Sequence, residues 1–360
     1  MSRRSRLAKF GTKLALCASL LPVTAASAQV VERVHFDPQP VAVNDLDPIG
    51  MMDLGSKGAD DAELESAGFD GLCEDCEPRW SFSGGALIMH RSTPDSIVLM
   101  QDTTDPTRNL NADDFDFDWR AGWQVTIGRE LTCGGRIETR LLSIDSWNAN
   151  AAATTNSSLA NPLQINTNPP TFAPNVQTIG ASYGSDLLSL EVNYAHELSS
   201  CFDWLAGFRY LELDELLHAD LNAAPQFFTY DINTRNRLYG FQTGLAGSLW
   251  NGERWTLSSQ LKAGIFHNSA AHASQLNTGV TQPALGSANR AALVGEISVL
   301  AEYAITDSLS ARFGYDLLWL ETVALASDQI PATNLFTQQG IAADGGVFYH
   351  GALVGLQWTR

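Results

Sequence analysis

Residues 114–131, DFDFDWRAGWQVTIGREL, sort two chemistries onto two faces. Phe115, Phe117, Trp119, Ala121, Trp123, Val125, Ile127 and Leu131 stand at odd positions; Asp114, Asp116, Asp118, Arg120, Gln124, Thr126 and Glu130 stand at even ones. Period two means an extended strand, because successive Cβ atoms point to opposite faces. Strands of ordinary globular sheets run about five or six residues, whereas this alternation is long enough to cross a tilted path through a bilayer. Taken alone it also fits a soluble sandwich, so repetition along the chain has to decide.

The pattern does repeat. Alternating segments are expected at 80–91, 114–131, 135–147, 177–198, 202–213, 235–250, 254–267, 290–305, 309–320 and 346–360. Short turns at 132–134, 201, 251–253 and 306–308 alternate with long polar connections at 92–113, 148–175, 214–234, 268–289 and 321–345. Soluble sandwiches mix their connections, while outer-membrane barrels have short periplasmic turns, long extracellular loops and an even strand number. The expected fold is all-β: a transmembrane antiparallel up-and-down barrel of ten strands, or ten to twelve given boundary error. A closed barrel also satisfies every strand N–H and C=O in hydrocarbon.

Aromatic placement agrees with this topology. Trp80, Tyr194, Trp204, Trp250, Trp255, Tyr303 and Trp358 fall at the short-turn ends of their strands, and Phe115, Phe117, Trp147, Tyr239, Trp319 and Phe348 at the other. Two girdles at headgroup level are what amphipathic rings favour.

The first residues fit export. MSRRSRLAKFGTK carries five cations and no acid, an apolar run follows to Val23, and Ala26-Ser27-Ala28 is a cleavage signal, so 1–28 reads as a signal peptide removed before Gln29. Losing its five basic residues takes the net charge from −18 to −23, with 17 Lys+Arg against 40 Asp+Glu. So acidic a chain repels nucleic acid. Segment 29–79 holds 13 acidic and three basic residues without periodicity and is expected to be a flexible periplasmic spacer before the barrel at 80–360. Expected partners are outer-membrane lipid, the barrel-assembly machinery and an unidentified extracellular ligand met through the long loops; no cofactor is implied.

WLAGFRYLELDE (204–215), RNRLYGFQTGL (235–245), KAGIFHN (262–268) and VGEISVLAEYAITDSLSARFGYDLLWL (294–320) resemble segments of a planctomycete-type outer-membrane β-barrel family of uncharacterised function. The resemblance spans roughly 80–358. It implies fold and compartment and brings no site residues with it. One departure is the terminus: Trp358-Thr359-Arg360 sets the ring two places before the end, where such barrels usually carry a terminal aromatic for assembly.

Four cysteines follow the signal: Cys73, Cys76, Cys133 and Cys201. Cys73-x-x-Cys76 has no second cysteine pair or spaced histidine set to complete a zinc site, and an exported chain favours disulfides. All four lie on the short-turn side, so bonds from the acidic segment to the turns are expected, with a local Cys73–Cys76 bond as the alternative.

Inward positions carry Arg120, Arg136, Glu138, Arg140, Glu191, Arg209, Gln242, Lys262, Glu296, Glu302, Arg312 and Asp316. Eight strands enclose little more than their own side chains and sixteen leave a channel, so ten imply a narrow, largely filled lumen in which charges pair or stay wet. A structural or surface-presenting role is expected, with a narrow cation-favouring pore lined by Glu296, Glu302 and Asp316 as the alternative. An enzyme is not expected. The rim residues Asp214, Glu215, His218 and Asp220 set carboxylates beside a histidine, as acid–base work needs. Gly180-x-Ser182-x-Gly184, however, falls inside an expected strand with no helix to form a nucleophile elbow.

Overall fold

The computed structural model describes residues 79–360 apart from 103–104, 132–133, 155–158, 161–177, 200, 224–225 and 278–280. The described residues belong to one compact unit, Asp75–Arg360. Thirteen strands follow in chain order: β1 Trp80–Arg91, β2 Val98–Asp102, β3 Leu110–Asn111, β4 Arg120–Glu130, β5 Gly135–Thr154, β6 Leu159–Ala160, β7 Thr178–Ser199, β8 Phe202–Ala223, β9 Gln226–Asn251, β10 Trp255–Asn277, β11 Thr281–Ala304, β12 Leu309–Val323 and β13 Gly345–Thr359. Ten of them close an antiparallel barrel in the order β1-β13-β12-β11-β10-β9-β8-β7-β5-β4, and β2, β3 and β6 form a small separate sheet. Among the described residues, no helix is long and apolar enough to cross a membrane.

The first and last strands make the seam. Trp80 N donates to Arg360 O at 2.7 Å and Arg360 N to Trp80 O at 2.8 Å, so barrel closure brings the two chain ends of the sheet to the short-turn side. Around that end Trp80, Tyr194, Trp204, Trp250, Trp255 and Trp358 are exposed, as a headgroup girdle requires. Trp119, Tyr239 and Phe348 are exposed at the other. Trp319 lies across Gly295, where a Cβ would stand 1.9 Å from the indole; only glycine admits the ring there.

Three expectations fail. Residues 114–119 are not strand: β4 starts at Arg120, and Phe115 and Phe117 turn into the interior, with 0% and 1% exposure, to meet Tyr183 edge-on at 5.4 and 5.3 Å. The alternation there serves a buried loop. Trp147 is fully buried rather than in a girdle, because a register shift between Ile144 and Trp147 reverses the faces of β5. Segments 214–234 and 268–289 are not long loops: β8 runs to Ala223 and β9 resumes at Gln226, while β10 runs to Asn277 and β11 resumes at Thr281.

The wall is therefore uneven. β7 to β11 are 22 to 26 residues long and β1, β4, β12 and β13 are 11 to 15. At about 3.3 Å per residue the longer strands carry the wall well past the bilayer on one side. Above that level the polarity of the faces inverts. β8 points Trp204 and Phe208 outward and Arg209 inward low down, whereas higher up Leu213, Leu217 and Leu221 point inward and Asp214 and Asp220 outward.

Candidate functional site in the filled lumen

Inward side chains stack in layers. On the short-turn side a polar vestibule of about 400 Å³ is lined by residues that include Gln124, Thr126, Arg136, Glu138, Ser258, Glu302 and Arg312. Arg312 Nε is 3.0 Å from Glu302 Oε1 and its Nη1 donates to Ser83 Oγ at 2.6 Å. Arg136 lies 4.0 Å from Glu138 and 3.8 Å from Asp203.

The next layer closes the vestibule. Glu191 meets Arg140 Nε at 2.7 Å, Lys262 Nζ at 2.7 Å and the Gln242 amide at 2.7 Å. Glu296 meets Arg140 at 2.5 Å, Arg209 at 2.6 Å and Lys262 at 2.8 Å. Arg209 Nε also donates to Ser189 Oγ. The side chains of these five charged residues are all at most 8% exposed, on β5, β7, β8, β10 and β11. Strand register makes the core of the cluster: Arg140 is directly opposite Glu191, Glu191 opposite Arg209, and Lys262 opposite Glu296. Buried charges survive only when paired and hydrogen-bonded, which here links five strands across the lumen. Asp316 is buried beside this layer on β12, and Arg120 begins β4 on its inward phase.

Above the charges lies a seal that sequence reasoning missed. Arg91 and Glu215, both with side chains fully buried, form an ion pair. The Arg91 guanidinium stands 4.3 Å over the Phe117 ring and 5.2 Å from that of Tyr183, whose hydroxyl donates to Glu215 at 2.6 Å. Leu87, Met89, Trp147, Leu213 and Tyr349 pack in the same apolar cluster. The signal was present as phase: Arg91 continues Leu87 and Met89, and Glu215 continues Leu211 and Leu213, at steps of two.

Loop 324–344 completes the seal. Asn236 clamps its start, donating to Ala324 O at 2.8 Å and accepting from Ala324 N at 2.7 Å. Ala326 N donates to Glu215 at 2.9 Å, and Gln329 bridges Leu325 O and Ala342 within the loop. The chain enters this turn through Thr322, whose φ of 67° is left-handed, and Asn268 donates to its carbonyl at 3.0 Å. Burial pushes the Asp328 carboxyl up to about 6, helped by the neighbouring carboxylates Glu215, Asp344 and Asp95, while Ser327 opposes by hydrogen bonding. A further cavity of about 1020 Å³ is bordered by Trp147, Glu215, Thr234 and His272 together with Gly340 and Ile341 of this loop.

Rim residues are placed differently from expectation. Glu215 points inward into the seal, whereas Asp214 and His218 lie on the outer face, Asp214 bound to Arg235 at 2.8 Å. Register sets Ser182 opposite His218 and His218 opposite Asp231, with His218 Nδ1 2.6 Å from Asp231 Oδ1. His218 Nε2 faces Asp220 at 3.3 Å. Ser182 lies in mid-strand with partners on both edges, so no strand-to-helix elbow forms around it. Among the described residues no group of three or more His, Cys, Asp or Glu is arranged to hold a metal. Cys201 lies at the β7–β8 turn and is engaged rather than free; Cys73, Cys76 and Cys133, with the stretch expected to be a signal peptide and the expected acidic segment up to residue 78, lie outside the described residues.

A family model described as "Putative beta barrel porin-7" matches residues 93–343, more than two thirds of the chain. Curated proteins give no significant match. Among solved structures, the outer membrane protease OmpT of Escherichia coli aligns at 9% identity and a TM-score of 0.48, covering 79% of this chain and 96% of that one. The translocator domain of the autotransporter NalP from Neisseria meningitidis aligns at 9% identity and 0.37, covering 80% and 91%. The Pseudomonas putida toluene transporter TodX aligns at 8% identity and 0.31, covering 79% and 89%.

Proposed function

The chain belongs to the family described as Putative beta barrel porin-7 and is an outer-membrane β-barrel; from that premise we propose that its role is structural or surface-presenting, with a lumen sealed at rest. The observation that carries this reading is the Arg140–Arg209–Lys262 layer, whose carboxylate partners Glu191 and Glu296 close the barrel below a second, largely apolar seal. The tall β7–β11 wall and loop 324–344 then present surface outside, where an extracellular ligand would be met. Outer-membrane lipid and the barrel-assembly machinery are the partners this reading requires. A cleaved signal before Gln29, a periplasmic acidic segment, bonds from Cys73 or Cys76 to Cys133 or Cys201, and the planctomycete-type origin belong to the same proposal. So does the expectation that the chain is not an enzyme.

Planar-bilayer recording tests the reading. Correctly folded protein is expected to leave the bilayer silent. A second reading, a narrow cation-favouring pore, draws on the acidic vestibule; there Glu302 and Glu138 would set selectivity, because Glu296 is neutralised by three cations. Steady cation-selective openings altered by Glu302→Gln would establish it and end the sealed-barrel account.

A further inference from the structure

We propose that His90 and His350 form a two-imidazole site for a divalent transition-metal ion on the outer face of the barrel, across the seam where its first and last strands meet. The β1–β13 register sets His90 directly opposite His350. Both fall on the outward phase, among exposed neighbours Ile88, Phe348 and Trp119. Their ring centroids are 5.3 Å apart. Two imidazole nitrogens bound tetrahedrally at about 2.0–2.1 Å hold the ring centres about 5.2 Å apart, so the pair is already spaced for one ion.

The surroundings favour ligation. Tyr315 OH lies 2.7 Å from His350 Nδ1. With Nδ1–H donating to the phenol oxygen, the lone pair stands on Nε2, and a ligating histidine is usually fixed by such a partner on its other nitrogen. His90 Nδ1 has no hydrogen-bond partner among the described residues. Neither ring forms an ion pair there, unlike His218, which Asp220 and Asp231 hold. Imidazole donors without carboxylates select copper, nickel or zinc over magnesium or calcium. His90 is ten residues from Trp80 of the opposite girdle, a span of about 25 Å for a strand tilted near 40°, so the site sits at headgroup level where aqueous ions reach it. An ion held there would tie residues 90 and 350 and stabilise the folded barrel by mass action. This inference is independent of whether the lumen conducts.

The test uses the full folded barrel in detergent at pH 7.5, titrated with CuCl2. Trp119 is the reporter, its ring 5.5 Å from His90 and 5.3 Å from His350. Saturable quenching by one ion per chain is expected, weakened at least tenfold in His90→Asn and in His350→Asn. Trp119→Phe should lose the quenching but keep a copper-induced rise in the temperature at which heating abolishes the fast gel mobility of folded barrel. On the wild type alone, electron paramagnetic resonance should show coupling to two nitrogens. Unsaturable quenching, a spectrum without two-nitrogen coupling, or unchanged affinity in a folded His90→Asn/His350→Asn double variant would overturn the proposal and leave a plain aromatic girdle.

Discussion

Glu191 and Glu296 share three cations, and that ratio decides what substitution does. In Glu191→Gln, Arg140, Arg209 and Lys262 keep one carboxylate among them, and a buried charge left without its partner costs about 3–5 kcal/mol. We expect the urea midpoint of folded barrel to fall accordingly, while Arg136→Gln in the partly exposed vestibule changes the unfolding free energy by less than about 1 kcal/mol. Asp328 gives a signed pH dependence. Its folded value of about 6 stands above the ordinary 3.8, so its contribution favours the docked loop fully at and below about pH 4, and this is lost as pH rises through about 6. That rise corresponds to about 3 kcal/mol. Proteolysis within 325–343 should be slower at pH 5 than at pH 8, and Asp328→Asn should be slow at both; faster cleavage at pH 5 would refute the sign. The paired lumen charges were legible in the sequence because each lay on the polar phase of an apolar-faced strand. Arg91 was legible only as phase, continuing Leu87 and Met89, because nothing in a strand's last residue tells whether it ends in water or under a loop.

At the scale of elements, what the sequence hid follows from one physical change along each long strand. Below the bilayer boundary the outer face is apolar, so alternation reads as strand. Above it, water replaces lipid outside and loop 324–344 replaces polar lumen inside, so the phase inverts: Leu213, Leu217 and Ile232 point in while Asp214 and Arg235 point out. A reader following one apolar face sees the pattern stop at 213 and 267, although the period of two continues. The same replacement explains Phe115 and Phe117, which alternate with aspartates because they enter the seal from a loop. Strand number survives these errors, since short turns and girdle tryptophans mark it independently. The docked loop depends on Asn236, whose amide satisfies both the N–H and the C=O of Ala324 in a buried place. Asn236→Ala leaves both unmet, at about 1–3 kcal/mol each, and is expected to release the loop to protease without unfolding the barrel. Loss of gel mobility together with cleavage would instead make the loop part of the barrel's folding unit.

At the scale of the whole molecule, the two seals stand in series, and a series arrangement has a testable logic. Ions must pass both the charge layer of Arg140, Arg209 and Lys262 and the apolar layer roofed by loop 324–344. Replacing 325–343 with a short Gly-Ser connection removes the roof alone, leaving five buried charges tied across the lumen. Replacing Arg140, Lys262, Glu191 and Glu296 with alanine removes the ties alone and leaves the Arg91–Glu215 pair beneath its aromatic lid. Each change by itself is expected to leave a planar bilayer silent, whereas the two combined should conduct. Once open, the path would run through the vestibule, where Arg136 and Arg312 face Glu130, Glu138, Asp203 and Glu302, so cations should carry most of the current and Glu302→Gln should reduce that preference. Conductance from the loop replacement alone would show that the charge layer is wet and permeable, and would turn the roof into the gate of a porin.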